Sequence, residues 1–389
     1  MKKIAIVVTH PIQYYVPLFQ ALAQDFNLMV FYTWGIAGIG EKFDPDFKRK
    51  ITWDLPLLEG YSYKVVENIA SNPGSDHFRG IINPNLIAQI NSFNPDKLLI
   101  YGWSYHSHLQ VIRYFKNKIP IYFRGDSNLL DHKGLVKRAL RFLFLKWIYN
   151  HIDKALYVGK ANRTYYEHFG LNQKQLIFVP HAIDNVRFSN DRSIESNKLR
   201  ESLGIHLEEI LILFAGKLES KKNPEILLKT FLKSKSNLHL LFVGNGALEE
   251  SLKSKVKQSV SRGISISEQV HFMDFQNQTH MPMIYQACDI FCLPSRGPGE
   301  TWGLAVNEAM ASGKAILVTN KVGCNLDLVD ESNGFIFDSE DENSLFNILL
   351  SLEKMDLMGK GSASREKIKK YSYHVSLEVL KAEFNMKQI

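Results

Sequence analysis

The chain has only three cysteines in 389 residues, Cys288, Cys292 and Cys324. They form neither a CxxC pair nor an even set, which argues against a disulfide framework; free thiols in a reducing compartment are expected. No apolar run approaches the ~20 residues that cross a bilayer. The opening "MKKIAIVV" begins like a secretion signal, but His10 and Pro11 end its apolar run after five residues. It reads as a strand, and a cytoplasmic location is expected. There is no short-period repeat and no low-complexity tract. Several motifs are incomplete. "HSH" (His106–His108) has no third zinc ligand in evidence. "GNGALE" lacks the third glycine of a dinucleotide fingerprint, so NAD is disfavoured. "DPD" (Asp44–Asp46) sits in a charged turn and reads as surface. "RGD" (Arg124–Asp126) in a cytoplasmic protein carries no adhesive meaning.

What is present describes a soluble globular protein of about two domains, with 45% hydrophobic and 22% charged residues. The charge is uneven. Residues 1–185 carry 22 Lys and Arg against 14 Asp and Glu, a net +8, while the remainder carry 25 against 26. A basic first half suits an anionic acceptor or an acidic surface. No nucleic-acid motif accompanies it, so nucleic acid is not an expected partner.

Apolar strands alternate with helical segments throughout. "IAIVV" (4–8), "NLMVFYT" (27–33), "KLLIYG" (97–102), "IPIYFR" (119–124), "KALYVG" (154–159) and "LIFVP" (176–180) are strand candidates in the first half. "ILILFAG" (210–216), "LHLLFVG" (238–244), "QVHFMD" (269–274), "IFCLPS" (290–295), "KAILVTN" (314–320) and "GFIF" (334–337) follow in the second. The fold class is α/β, with two Rossmann-like doubly wound parallel sheets. Such sheets bind ligands at the C-terminal ends of their strands, and a facing pair leaves an interdomain cleft. The expected domains are residues 1–188, 205–360, and 361–389 as C-terminal helices packing back on the first. The polar stretch 190–204 is the natural joint.

The most informative stretch is "PSRGPGETWGLAVNEAMASGKAIL" (Pro294–Leu317). An apolar run enters a Gly- and Pro-rich loop, a helix starts near Leu304, and Gly313 sits where a terminal glycine would stop it. Gly303 lets something approach the helix N-terminus, whose N–H groups and partial positive charge favour phosphate. Glu300 lies on the loop and Glu308 inside the helix. A phosphate flanked by two polyols, as in a nucleotide sugar, would use all three features. Upstream, "FAGKLESKKNPEILLKTF" ends a strand at Gly216. Lys217 follows at once and Lys222 stands just before a helix, both suited to neutralising a diphosphate.

"GKLESKKNP", "FVGNG", "YQACDIFCLPS" and "ETWGLAVNEAMASGKAI" occur in this order and spacing, and together they resemble the retaining GT-B glycosyltransferases of family 4. The mark of that family is Glu, seven residues, Glu, then Ala-Met-Ala-x-Gly. The resemblance is strong over 205–340 and looser before it. It implies a nucleotide-diphospho-sugar donor held mainly by the second domain, with no cofactor and no metal. Lys217 and Lys222 would hold the diphosphate, Lys217 standing where many relatives have arginine. Glu308 would bind the ribose and Glu300 the transferred sugar. Backbone near Gly216, Gly303 and Leu304 would meet the diphosphate, and the base would lie near Met273–Phe275.

The first half departs from the family pattern. The loop after the first strand, "THPIQYYVP" (Thr9–Pro17), lacks the usual glycine pair; His10, Gln13 and Tyr14 are its candidates for donor or acceptor contact. After "IPIYFR" the chain has "FRGDSN" where relatives often carry a histidine, which makes Arg124 and Asp126 candidates on the sugar side. "VPHAIDNVRF" (Val179–Phe188), with His181, resembles a family segment that shapes the domain joint. Residues 134–150 place Lys137, Arg138, Arg141 and Lys146 among Leu, Phe and Trp. Such a helix packs on a sheet and can also lie peripherally on an anionic membrane surface.

The function implied is transfer of a sugar to a hydroxyl of a glycan or lipid-linked acceptor, in surface polysaccharide or lipopolysaccharide synthesis. Two alternatives share these features. A GT-B nucleotide-sugar epimerase would form product from donor alone. A non-catalytic nucleotide- or sugar-binding protein would tolerate loss of Glu300 and the lysines.

Overall fold

The computed structural model describes residues 1–40, 42–44, 49–130, 135–234, 237–297 and 299–386, with side chains at 42–44, 49–51 and 135–138 excepted. Pro45 and Asp46 of the "DPD" triplet lie outside the described residues. The chain divides into two units. One comprises Met1–Lys42, Leu55–His181 and Tyr373–Ile389; the other comprises Phe43–Asp54 and Ala182–Ser372.

The strands of the first unit are β1 (Lys3–Val8), β2 (Asn27–Tyr32), β5 (Ser62–Val65), β6 (Lys97–Tyr101), β7 (Ile121–Arg124), β8 (Lys154–Tyr157) and β9 (Leu176–Phe178). Between β2 and β5 the chain forms β3 (Lys42–Asp44) and β4 (Arg49–Ile51), a separate two-stranded sheet. The seven-stranded sheet runs β5-β2-β1-β6-β7-β8-β9, and all its pairings are parallel. Helices α1 (Val16–Asp25), α2 (Leu86–Phe93), α3 (His106–Phe115), α4 (Leu135–Tyr149) and α5 (Lys160–His168) connect them. Ile4, Ile6 and Val8 of β1 face one core, Ala5 and Val7 the other, as two-sided burial of a central parallel strand requires.

The second unit begins with the helices α6 (Asn185–Ser189) and α7 (Ser193–Ser202). Its strands are β10 (Ile210–Ala215), β11 (Leu238–Val243), β12 (Val270–Met273), β13 (Ile290–Leu293), β14 (Ala315–Thr319) and β15 (Gly334–Phe337). Their order is β12-β11-β10-β13-β14-β15, again all parallel. The remaining helices are α8 (Pro224–Phe231), α9 (Glu249–Ser261), α10 (Met281–Ala287), α11 (Leu304–Ala311), α12 (Asn325–Leu328), α13 (Glu342–Ser351) and α14 (Leu357–Ile368).

The division differs from the sequence reading at four places, one of them Phe43–Asp54, which was expected in the first domain and belongs to the second unit. Residues 190–204 are not a free joint, because α7 is built into the second unit. Arg200 is buried and donates to the carbonyls of Ala287 and His206 and to the Asp289 carboxylate. The first unit ends at His181, short of residue 188. Of the C-terminal helices only α15 (Tyr373–Asn385) belongs to the first unit, with Leu380 and Phe384 in its core. Helix α14 stays with the second.

Candidate functional site

The second unit gathers its candidate residues at the C-terminal ends of β10, β13 and the head of α11. After β10, Gly216 sits at φ 150° and Lys217 is half-buried. A tight turn follows, in which the N–H groups of Lys222 and Asn223 donate to the Glu219 carbonyl at 3.1 and 3.2 Å. Asn223 adopts a left-handed conformation and Pro224 opens α8. The turn fixes Lys222 at the mouth of the sheet. The glycines of "FVGNG" make room for this loop. A Cβ on Gly244 would stand 2.2 Å from the Gly216 carbonyl oxygen, and one on Gly246 would stand 2.5 Å from that of Leu218.

The loop after β13 is tied to the same turn. The Arg296 N–H donates to the Lys221 carbonyl at 3.0 Å, and its guanidinium donates to the Ser220 hydroxyl. Lys222 and Glu300 meet directly, with Nζ 2.5 Å from Oε2; the Ser295 hydroxyl donates to the same oxygen at 2.9 Å. The Glu300 backbone is held too, its carbonyl accepting from the Gly323 N–H at 3.0 Å. Gly303, at φ 97°, forms the N-cap of α11. The space a Cβ would take is already lined by Val322 Cγ1 at 3.0 Å and Leu293 Cδ2 at 3.1 Å. The residue must be glycine for backbone conformation and for packing.

Leu304 is the first residue of α11; the N-cap Gly303 makes no side-chain capping bond, its carbonyl accepts from the Val306 N–H at 2.9 Å, and the N–H groups of Leu304 and Ala305 stand at the head of the helix. Glu308 lies one turn further and is buried at 4% exposure. Tyr285 donates its hydroxyl to Oε2 at 2.8 Å, and Gln278 donates to Oε1 at 3.5 Å. Gln278 in turn accepts from Arg187 at 3.1 Å. Met273 closes β12, and its carbonyl accepts from the Gly244 N–H at 2.9 Å. Ser295, Tyr285 and Gln278 were not singled out from sequence. Ser295 lies five residues before Glu300 and was within reach of local reading. Tyr285 opens the "YQACDIFCLPS" stretch, but it and Gln278 are 23 and 30 residues from Glu308, and no local spacing links either to that glutamate.

In the first unit the candidates stand at two strand ends. After β1, His10 Nδ1 is 2.9 Å from the Thr9 hydroxyl and its ring meets Trp34 edge-on at 5.1 Å. Gln13 is buried, and the Tyr14 carbonyl accepts from the Tyr373 hydroxyl at 3.2 Å. After β7, Arg124 is a correction. It is buried, and its guanidinium donates to the carbonyls of Val179 at 2.8 Å and Pro180 at 3.1 Å, holding the chain as it leaves β9. Asp126 lies two residues past β7, with Oδ2 3.7 Å from Nε2 of the buried His181. Burial first, then the Arg124 charge, holds the His181 imidazole below its usual pKa, against the opposing pull of Asp126. Burial, then the Asp126 charge, pushes the neighbouring Tyr15 phenol well up. His108 of "HSH" is a core residue, bonded to the Thr33 hydroxyl at 2.8 Å and the Tyr101 carbonyl at 3.0 Å, and burial lowers its pKa to about 4. Among the described residues, no group of three or more His, Cys, Asp and Glu is set to hold a metal ion.

Two all-parallel Rossmann-like units on one chain make this a GT-B fold. It matches the crystal structure of Anabaena HepE in complex with UDP over 98% of this chain and 99% of that one, at a TM-score of 0.72 and 17% identity. It matches WaaG, a glycosyltransferase involved in lipopolysaccharide biosynthesis, over 99% and 100%, at 0.67 and 12%. Residues 195–375, which contain every candidate of the second unit, match the family described as Glycosyl transferases group 1. Curated relatives include a D-inositol 3-phosphate glycosyltransferase of Corynebacterium kroppenstedtii, 24% identical over 50% of this chain and 43% of the relative. Another is the N-acetylgalactosamine-N,N'-diacetylbacillosaminyl-diphospho-undecaprenol 4-alpha-N-acetylgalactosaminyltransferase of Campylobacter jejuni, 24% identical over 64% and 61%. The chain thus spans about half the length of the curated relatives it matches.

Proposed function

We propose that this chain is a retaining glycosyltransferase of the family-4 type. It would take a sugar from a nucleotide-diphospho-sugar, without a metal, and pass it to a hydroxyl of a glycan or lipid-linked acceptor. The observation that carries the reading is the pair of buried glutamates on either side of Gly303, the first ion-paired to Lys222. A diphosphate seated on the α11 N-terminus beside Lys217 and Lys222 has its ribose toward Glu308 and its sugar toward Glu300. Tyr285 and Gln278 orient Glu308 for the ribose hydroxyls, as Ser295 orients Glu300. In the reaction the C1–O bond to the phosphate breaks, and its electron pair leaves with the nucleoside diphosphate. The acceptor oxygen bonds to C1 on the same face, and its proton passes to the leaving phosphate oxygen. Lys217, Lys222 and the helix end meet the charge that develops there. The relatives that act on an undecaprenol-linked glycan and in lipopolysaccharide synthesis support a cell-surface polymer as the setting.

Helix α4 supports a peripheral position on an anionic membrane. Its inner face, with Leu145, Ile148 and Tyr149, packs in the core. Its outer face exposes Leu140 at 67%, Leu143 at 65%, Phe144 at 43% and Trp147 at 41%. Arg141 and Lys146 are exposed on the same helix, and the Arg113 guanidinium lies 5.7 Å from the Trp147 ring. An apolar row flanked by cations fits a negatively charged bilayer surface. Lys137 and Arg138 fall where side chains are not described. No described helix is long and apolar enough to cross a membrane.

The test is a thermal-shift panel of UDP-, GDP- and ADP-sugars, starting with UDP because structural neighbours hold it. One nucleotide should raise the melting temperature of the wild type and not that of Glu308→Ala. Incubation with donor alone separates the transferase from an epimerase: an epimer formed without acceptor would overturn the transfer reading.

A further inference from the structure

A short segment that lies outside the matched family region reaches the nucleoside end of this site. Residues Phe43–Asp54 belong to the second unit although the sequence around them belongs to the first. Their last three residues lie along the loop between β12 and α10. Asn277 donates its side-chain amide to the Thr52 carbonyl at 2.6 Å. Asp54 Oδ2 accepts from the Thr279 N–H at 3.0 Å and from the Thr279 hydroxyl. Between these contacts Trp53 is half-buried, its ring edge-on to Phe275 at 6.2 Å.

The alternation along the loop gives the contacts their meaning. Asn277 and Thr279 face outward and are gripped by Thr52 and Asp54. Gln278, between them, is buried and faces inward to Glu308. Asp54 also places a carboxylate just ahead of α10, whose N-cap His280 makes no side-chain capping bond of its own. A carboxylate at a helix N-terminus is favourable there and fixes where the helix begins. The loop backbone is anchored on its other side by Asn245, which accepts from the Phe275 N–H at 2.9 Å.

We propose that Thr52–Asp54 form a strap over the nucleoside of a nucleoside diphosphate. Trp53 and Phe275 wall the base, and Asp54 is a positioning residue acting through the 277–279 loop on Gln278 and Glu308. This rests on the donor-site reading above. With the diphosphate at Lys222 and the ribose at Glu308, the base extends past Gln278 toward Phe275, where the strap lies. An aromatic pair accepts any base by its face, so the strap contributes affinity for the nucleoside and not for the phosphates. The clasp is exposed at Thr52 and Asp54, so its loss leaves the core packing unchanged.

The experiment measures calorimetric binding of UDP, GDP, ADP and inorganic pyrophosphate to the full chain. The variants are Trp53→Ala, Trp53→Phe, Asp54→Asn and Glu308→Ala, each checked for an unchanged melting temperature. Trp53→Ala and Asp54→Asn should weaken the preferred nucleoside diphosphate about tenfold and leave pyrophosphate within twofold, and Trp53→Phe should restore most of the affinity. If the wild type binds a nucleotide, Glu308→Ala loses it, and both strap variants bind like wild type, the strap is overturned and the donor site stands. Equal weakening of pyrophosphate would also overturn it, as the mark of a general structural defect. If no nucleotide binds the wild type, the donor site and the strap fall together.

Discussion

Lys222 Nζ lies 2.5 Å from Glu300 Oε2, with the two side chains only 18% and 8% exposed. Each is the other's main charge partner in a place where an isolated charge is costly. In the proposed donor site the pair would couple stability to chemistry, and the two must be separated experimentally.

Lys222→Ala should lower turnover about 10²- to 10³-fold, the size of effect seen when one electrostatic group at a developing charge is removed. It should also lower the melting temperature, because the Glu300 carboxylate is left with the Ser295 hydroxyl in place of a cation. The double variant Lys222→Met, Glu300→Gln removes both charges. It should regain stability by about 1–4 kcal/mol over the single variant without regaining turnover. Near-normal turnover in a folded Lys222→Ala protein would remove the lysine from the proposed diphosphate site.

The outer face of α4 gives a second prediction. Leu143→Glu with Trp147→Glu should abolish co-sedimentation with vesicles containing phosphatidylglycerol, while stability changes by less than about 1 kcal/mol because both side chains are exposed. Wild-type binding should fall as salt rises. Equal binding to neutral phosphatidylcholine vesicles would count against an electrostatic contribution.

A histidine pair near the N-terminal ends of the adjacent strands β11 and β12 sets an acid limit. His239 and His271 stack at 5.4 Å, with Nδ1 of the first 3.1 Å from Nε2 of the second. Burial, then the charge of His239, lowers the His271 pKa to about 4; burial likewise lowers that of His239, opposed by Glu209. The unfolded chain then takes up protons that the folded pair refuses. Stability should be unaffected above about pH 6.5 and should fall as the pH drops from there toward 4. Replacing His271 by Gln should flatten that part of a melting-temperature profile. An unchanged slope would assign the acid sensitivity to other groups.

The parallel-sheet cores were readable because buried strands such as "ILILFA" and "LHLLFV" are continuous apolar runs. Strand β5 was not, since all four residues of "SYKV" at this sheet edge are exposed and show no apolar pattern. The two glutamates and two lysines were legible as a spacing. Their partners were not, because Tyr285 and Gln278 reach Glu308 through the fold and not along the chain. Arg124 misled for the same reason: its acceptors are 55 and 56 residues away, and an arginine at a strand end looks identical whether it faces a ligand or a carbonyl. The Thr52–Asp54 contacts, 225 residues distant, leave no trace in local composition.

The placement of α15 has a consequence for synthesis. Leu380 and Phe384 fill the same core as Ile4, Ile6 and Val8, and Lys2 and Lys97 donate to the carbonyls of Phe384 and Glu383. Strand β1 therefore leaves the ribosome long before the residues that cover it. Until they emerge, the part of that face which Leu18, Phe19 and Leu22 of α1 do not cover stays an open apolar surface, so vectorial folding cannot complete that unit early. A premature stop a few codons before residue 380 would damage a part of the protein made long before the stop was reached.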